Sequence, residues 1–229
     1  FLRERSEDIA WHTEAIADHD HERGALVLVR QAGESPISNA TQIFVHTLDE
    51  PSTFARICAA LETLDLTIHD ARIYSDTDGS TLDTFFVLKS DGTSLDSHPD
   101  TFQEINERIC QHLSQSELKP VSRHTPRTVK AFTIPTTVQF SQDETSHLTT
   151  LEVTTADRPG LLARLGSVLS RYDVSVQGAK IQTLGERVQD IFFLADAAGG
   201  QLKDDALLAS LEEELIEALG AGHQKDGAV

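Results

Sequence analysis

Three stretches of the 229-residue chain bring together residue types that could do chemistry. Asp18-His19-Asp20-His21 offers carboxylates and imidazoles of the kind that bind metals, and His69-Asp70 is a second short His-Asp pair. The third is Asp157-Arg158-Pro159-Gly160-Leu161-Leu162, which ends the β-like run "LEVTTA" and opens a segment with helical apolar spacing. A proline in the first turn of a helix has no N–H to lose, and a glycine beside it lets the backbone come close to a ligand. Free N–H groups near Gly160, Leu161 and Leu162, at the positive end of a helix dipole, can receive a carboxylate. On a neighbouring strand, Gln177-Gly178-Ala179-Lys180 offers an open surface for a ligand or a partner strand. Taken alone, these glycines are better explained by a tight strand-helix corner kept small for packing. The two His-Asp stretches carry less. Asp18 to His21 lies between a helix and a strand without a Gly-Ser loop to cradle phosphate, and reads as a solvated loop. His69-Asp70 lacks the further His and Asp ligands that a metal site requires.

The elements that position these residues recur. When Asp49 is aligned with Asp157, "DEPSTFARICAALETLDLTIHDARI" falls on "DRPGLLARLGSVLSRYDVSVQGAKI". Identities include Val45/Val153, Thr47/Thr155, Pro51/Pro159, Arg56/Arg164, Leu61/Leu169, Asp65/Asp173, Ala71/Ala179 and Ile73/Ile181. The apolar stripe Phe54, Ile57, Leu61 and Leu64 matches Leu162, Leu165, Leu169 and Tyr172, the spacing of an amphipathic helix in both copies. A strand precedes each helix and another follows it. Then come a turn (Asp76 to Gly79, or Leu184 to Glu186) and a strand ending in Asp83-Thr84-Phe85-Phe86 or Asp190-Ile191-Phe192-Phe193. A second helix closes each copy, with Phe102, Ile105 and Ile109 inward in the first and Leu208, Leu211, Leu215 and Leu219 inward in the second.

That order is a split βαβ lacking its last strand. The strand-like runs "ALVLVR" and "TVQFS" stand ahead of the two copies and can supply it. The expected fold is therefore α+β: two ferredoxin-like units in ββαββα order, each an antiparallel sheet of about four strands with two helices on one face. The expected boundaries are a helix and linker over 1–24 with Ile9, Trp11 and Ile16 apolar, and a first unit over 25–115. A Pro-containing linker over 116–127, a second unit over 128–220 and a disordered tail over 221–229 follow. The two units are expected to pack on each other. Ile68, Ile73, Phe85 and Val87 in one, and Val174, Val176, Ile181, Ile191 and Phe193 in the other, supply the buried surface.

Charge excludes some functions. With 37 acidic against 19 basic side chains the formal net charge is −18, which repels nucleic-acid phosphates and anionic lipid. No apolar run approaches a membrane span, and Phe1-Leu2-Arg3-Glu4-Arg5 is too charged for a signal-peptide core. Cys58 and Cys110 are the only cysteines and are far apart, so neither a zinc knuckle nor a disulfide framework is expected and a reducing cytoplasm fits best. The start without an initiator Met suggests a piece of a longer protein.

At "ADRPGLLARLGSVLSRYDVSVQGAKI" the chain resembles an ACT domain, the small-molecule regulatory module of amino-acid metabolism. The blocks "SEDIAWH", "ALVLVR", "TQIFVHTLD", "ARICAALETLDLTIHDARIYSDTDGSTLDTFFVL", "IPTTVQFS" and "DRPGLLARL" extend this over nearly the whole chain. Together they resemble the C-terminal tandem ACT region of the bifunctional PII uridylyltransferase/uridylyl-removing enzymes. The resemblance implies a glutamine sensor downstream of a nucleotidyltransferase and a phosphohydrolase domain. Mg²⁺ and PII protein would be needed by the whole enzyme, and this chain would hold no cofactor, no metal and no catalytic residue. It also implies an effector site at Asp157, Arg158, Pro159, Gly160, Leu161 and Leu162, with the amide end of glutamine toward Gln177, Gly178, Ala179 and Lys180. A weaker site falls in the first copy, at Asp49, Pro51, Ser52, Thr53, Phe54, His69, Asp70 and Arg72, where Ser52 replaces the glycine and Glu50 the arginine. An assembly module that pairs ACT units, within a chain or as a dimer, without binding any ligand is the rival reading.

Overall fold

The computed structural model describes residues 5–19, 24–33, 37, 39–75, 79–115, 134–143, 146–181, 183–184 and 187–220. The expected linker over 116–127, the tail over 221–229, Asp20 and His21, and most of the two expected turns (Asp76 to Asp78, and Gly185 with Glu186) lie outside them.

The first unit begins with α1 (Ser6–Ala17) and continues through β1 (Leu26–Gln31), β2 (Thr41–Leu48), α2 (Thr53–Thr63), β3 (Leu66–Arg72), β4 (Ser80–Lys89) and α3 (Pro99–Leu113). The second comprises β5 (Thr137–Gln142), β6 (Thr149–Ala156), α4 (Leu161–Arg171), β7 (Ser175–Lys180), the short β8 (Thr183–Leu184), β9 (Arg187–Ala195) and α5 (Asp205–Gly220). Each unit is thus the expected ferredoxin-like ββαββα fold. The leading strand takes the outer place in each half, β1 beside β2 and β5 beside β6.

Local chemistry sets the ends of the helices. Pro99 occupies the first turn of α3, and the Nδ1 of His98 accepts the Asp100 N–H at 3.3 Å. Asp204 does the same for α5, its Oδ1 accepting the N–H groups of Ala206 and Leu207 at 2.9 and 3.3 Å. After α2 and α4 the chain reverses through Asp65 (φ 62°) and Asp173 (φ 52°), an aligned pair. Aspartate tolerates the left-handed region better than most residues, which accounts for its presence in both copies.

The two halves share one antiparallel sheet in the order β1-β2-β4-β3-β7-β9-β6-β5, with β8 paired to β9. They meet at β3 and β7, where Ala71 pairs with Ala179. The helices pack in a row, α3 on α2, α2 on α4 and α4 on α5. One continuous core lies under that row and includes Ile43, Ile57, Leu61, Phe85, Ile109, Leu151, Leu165, Phe192, Leu194 and Leu215, none of them accessible to solvent. Burying each such side chain contributes about 1.5–3 kcal/mol. At the centre, α2 and α4 approach so closely that a Cβ on Gly166 would lie 2.9 Å from the Cβ of Ala55.

The expected packing of the units is therefore corrected in its geometry. They join through paired sheet edges and adjacent helices. Ile191 and Phe193 do not contribute, because on β9 it is Val188, Asp190, Phe192 and Leu194 that turn into the core, leaving Ile191 and Phe193 half-buried on the opposite face. An offset of one residue along a strand exchanges its two faces.

On that opposite face α1 covers the first unit. His12 stacks on Phe44 with ring centroids 3.8 Å apart, and Trp11 lies 6.4 Å from the same ring. The expected apolar positions Ile9, Trp11 and Ile16 are half-buried, whereas the buried residue of α1 is Asp8. Its carboxylate is paired with Arg30, whose guanidinium also sits 3.8 Å over the Trp11 ring and donates to Gln42 Oε1 at 2.9 Å. The second unit carries Glu152, exposed, at the place of Phe44.

Candidate functional site

β6 delivers the chain into the corner Asp157 to Gly160, and α4 leads it away. Gly160 caps α4 at φ 71°, ψ 15°, a conformation that suits glycine. The corner is held by Leu161 N–H donating to Arg158 O at 3.2 Å and by the Arg164 guanidinium donating to Pro159 O at 2.9 Å. Arg158 reaches the Gly220 carbonyl at 3.2 Å, which ties the corner to the end of α5. The Leu162 and Ala163 N–H groups have no acceptor among the described residues.

A cavity of about 460 Å³ opens beside this helix start. All six sequence-predicted residues from Asp157 to Leu162 line it, together with Ile181 and Asp190 of the same unit. The other wall belongs to the first unit: Leu66, Thr67 and Ile68 on β3, and Cys58 and Glu62 on α2. The cavity thus lies at the junction and is completed by both halves of the chain.

Gln177, Gly178, Ala179 and Lys180 fall elsewhere. They line a separate groove of about 760 Å³ with Asp70, Arg72 and Phe193. The expectation that one ligand spans the helix start and Gln177 to Lys180 is therefore corrected: the strand wall of the cavity is Leu66 to Ile68 with Ile181. Bulges in β3, at His69, and in β7, at Gln177, shift the alternation and send Ala71 and Ala179 into the core.

The weaker first-copy site is dispersed in the same way. His69 sits within electrostatic reach of Asp157, so it joins the second corner. Burial lowers the His69 pKa and Asp157 opposes that shift; burial likewise raises the Asp157 carboxyl, opposed by His69 and by a hydrogen bond from the Arg158 N–H. Asp70 and Arg72 pair with each other at 3.4 Å, and Arg72 lies 4.9 Å over the Phe86 ring. At the first corner, which carries Asp49, Pro51 and Ser52, Thr53 Oγ1 donates to Leu48 O and accepts the Glu50 N–H, both at 3.2 Å. Phe54 is only 5% exposed and turns into the core between the rings of Phe85 and Phe192, at 6.4 and 6.3 Å. Its aligned partner Leu162 borders the open cavity.

Sequence reasoning missed Asp190, Glu62, Cys58 and the Leu66 to Ile68 wall. The recurring Asp-x-Phe-Phe was a usable signal for Asp190, since its counterpart Asp83 is also buried, each 1% exposed. Cys58 is buried, and burial pushes its thiol well up, reinforced by Asp83 and Glu62. Among the described residues no three His, Cys, Asp or Glu side chains are grouped as a metal site, and no helix is long and apolar enough to cross a membrane.

Residues 149–215 match the ACT domain family, and residues 37–118 match the ACT-like domain of plant bHLH transcription factors. With the fold, these matches define a pair of ACT domains in tandem. The chain is 42% identical over 221 residues to the bifunctional uridylyltransferase/uridylyl-removing enzyme of Ectopseudomonas mendocina, and 42% identical over 224 residues to that of Azotobacter vinelandii. These alignments cover 96% and 97% of this chain but 25% of each relative, so the chain spans about a quarter of the length of the curated relatives it matches. The similarity is that of a C-terminal ACT region of such an enzyme. An aspartate kinase from Synechocystis superposes with a TM-score of 0.37 at 16% identity over 80% of this chain and 28% of that one.

Proposed function

We propose that this chain is the glutamine-sensing region of a cytoplasmic bifunctional enzyme that uridylylates the nitrogen regulatory PII protein and removes the uridylyl group again. The observation that carries the reading is the cavity at the junction, in which the helix start of one ACT unit faces a strand and a helix of the other. Glutamine places its α-carboxylate against the free Leu162 and Ala163 N–H groups, where the helix dipole favours negative charge. Because both units line the cavity, its occupation changes the free energy of their junction. A ligand with different affinities for two arrangements shifts their populations by that difference. Upstream catalytic domains read the shift. Mg²⁺ would serve those catalytic domains.

Calorimetric titration of the 229-residue chain with glutamine tests the reading, with Gly160→Val as the variant. Valine at φ 71° is strained, by about 1–2 kcal/mol, and moves the backbone that must meet the carboxylate. The expected results are saturable binding to the chain and at least a tenfold loss in the variant. No binding of glutamine to the unaltered chain, or equal binding by a folded variant, overturns it.

A further inference from the structure

The two outer edges of the sheet are finished differently. On the first unit α3 supplies donors to the edge strand β1: Asn106 Nδ2 donates to the Val27 carbonyl at 2.7 Å, and the Cys110 thiol lies 3.9 Å from the Ala25 carbonyl. The second unit has an equivalent strand and helix. Val27 pairs with Val45 as Val138 pairs with Val153, which equates β1 with β5. The caps His98 and Asp204, and the buried pairs Ile105/Leu211 and Ile109/Leu215, equate α3 with α5. Asn106 therefore corresponds to Glu212 and Cys110 to Ile216. Both replacements are exposed, Ile216 by 39%. Neither a carboxylate nor an isoleucine side chain can donate to a carbonyl, so the two donors of α3 have no counterpart on α5.

β5 has the other marks of an open edge. Its sequence, TVQFSQ, contains neither a charge nor a proline, and its register with β6 runs without a bulge. Charges, prolines and bulges are the usual means by which edge strands are kept from pairing with another chain. Among the described residues β6 is the only strand paired with β5. On the helix side of β5, Phe140 is half-buried.

Charge selects the occupant. α5 carries Asp205, Glu212, Glu213, Glu214 and Glu217 and no basic residue. A second copy of this chain, itself at a formal net charge of −18, would set the same acidic helix alongside α5, and like charges side by side oppose that contact. A basic segment is attracted instead.

We infer that β5 is a docking edge that accepts an extended, basic segment of another polypeptide as a further strand, with main-chain hydrogen bonds along β5 and side chains reaching α5. Strand addition takes its affinity from the backbone and its specificity from alternate side chains. Glu212 and Ile216 are one helical turn apart, about 5.4 Å along the axis, and alternate residues of a strand are about 6.8 Å apart. An apolar residue over Ile216 and Phe140 thus brings a lysine or arginine two places away to Glu212. No residue of β5 or α5 lines the junction cavity, so this edge is independent of what that cavity binds.

The probe is the peptide Thr-Lys-Thr-Val-Thr-Lys-Thr, acetylated and amidated, which presents lysine, valine and lysine on one face in either strand direction. It is titrated into the isotope-labelled 229-residue chain at low salt, and backbone amide shifts are followed by NMR. Saturable shifts are expected in β5 and α5 and not in β1. The same peptide N-methylated along its backbone keeps the charge but loses the ladder donors, and is expected to bind at least tenfold more weakly. Glu212→Asn gives α5 the donor that Asn106 provides on α3 and removes the carboxylate; it is expected to bind the probe at least tenfold more weakly than the unaltered chain. No saturable shift in β5, equal binding of the N-methylated peptide, or unchanged affinity in Glu212→Asn overturns the inference. So does sedimentation showing that the chain alone dimerises with its β5 amides protected from hydrogen exchange, since a second copy is then the occupant. Should circular dichroism show Glu212→Asn to be unfolded, the comparison of the two peptides on the unaltered chain decides alone.

Discussion

Gly166→Ala tests whether the two halves are held together by the close approach of α2 and α4. In an unobstructed helix interior this exchange stabilises by about 1 kcal/mol, because alanine loses less backbone freedom on folding. Here the new methyl would lie 2.9 Å from Ala55 Cβ, 3.0 Å from Ala55 Cα and 3.1 Å from Phe54 Cδ1. Ordinary carbon contacts begin near 3.5 Å, so α2 must retreat by about 0.6 Å. Two of the obstructing atoms belong to the body of a neighbouring helix rather than to the end of a flexible side chain, and overpacking of that kind costs about 1–3 kcal/mol. The sum is a net loss of about 1 kcal/mol. For a chain of this length that lowers the melting temperature by about 2–4 °C. Thermal unfolding followed by circular dichroism reads it directly. A rise of several degrees, the result for a glycine with free space around it, would refute the proposed close helix contact.

Other perturbations address α1 and the buried acids. Arg30→Met removes the partner of Asp8, which is 5% exposed, and leaves a buried carboxylate without its counter-charge. Since Trp11 is the only tryptophan, release of α1 is expected as a red shift of emission with the sheet signal retained; unchanged emission would mean that the pair does not hold the helix. Burial lowers the pKa of His12 from its ordinary 6.5 to about 4, with Asp8 opposing and Arg30 and Arg72 assisting. Between those values the unfolded chain takes up a proton that the native state refuses, so His12 makes stability fall as pH drops from 6.5 towards 4. His12→Phe keeps the stack on Phe44, and urea midpoints measured from pH 7 to 4 are expected to fall less steeply than in the unaltered chain. Asp83 has the opposite sign: its raised pKa means the native state holds a proton that the unfolded chain releases above its ordinary carboxyl value, so stability declines as pH rises. Asp83→Asn is expected to flatten that decline, and identical midpoint profiles from pH 5 to 8 would reject the assignment.

The fold was legible because the duplicated pattern supplied its own control. Phe54 and Leu162 each begin a stripe, Pro51 and Pro159 each precede a helix, and the ββαββα order follows from where those signals fall. Face assignment on β9 failed because the inward face carries a carboxylate: Asp190 shares it with Val188, Phe192 and Leu194, and a charged residue ordinarily marks the solvent face, which points the core to Ile191 and Phe193 instead. The candidate site was half visible for a related reason. The Pro-Gly corner is a local backbone event and is written in adjacent residues. The opposing wall, Leu66 to Ile68, is brought there by pairing of β3 with β7, and the bulges at His69 and Gln177 that redirect those strands have no local signature. His69 appeared to serve its own repeat because sequence distance, unlike the sheet, keeps it away from Asp157.

The pairing of β3 with β7 has one more consequence. Two separate copies of such a unit meeting edge to edge would form a symmetric dimer, populated only as far as concentration allows, with every residue obliged to work in both places at once. Tethering the copies makes the encounter intramolecular, so the junction and its cavity persist at any dilution. It also releases the halves from having to remain alike. Phe54 could then become a wedge where Leu162 stays a wall, and Phe44 a seat for α1 where Glu152 faces water. The difference between a half whose helix start opens on a cavity and a half whose sheet seats α1 is a freedom that covalent linkage gives to two copies that a twofold axis would hold alike.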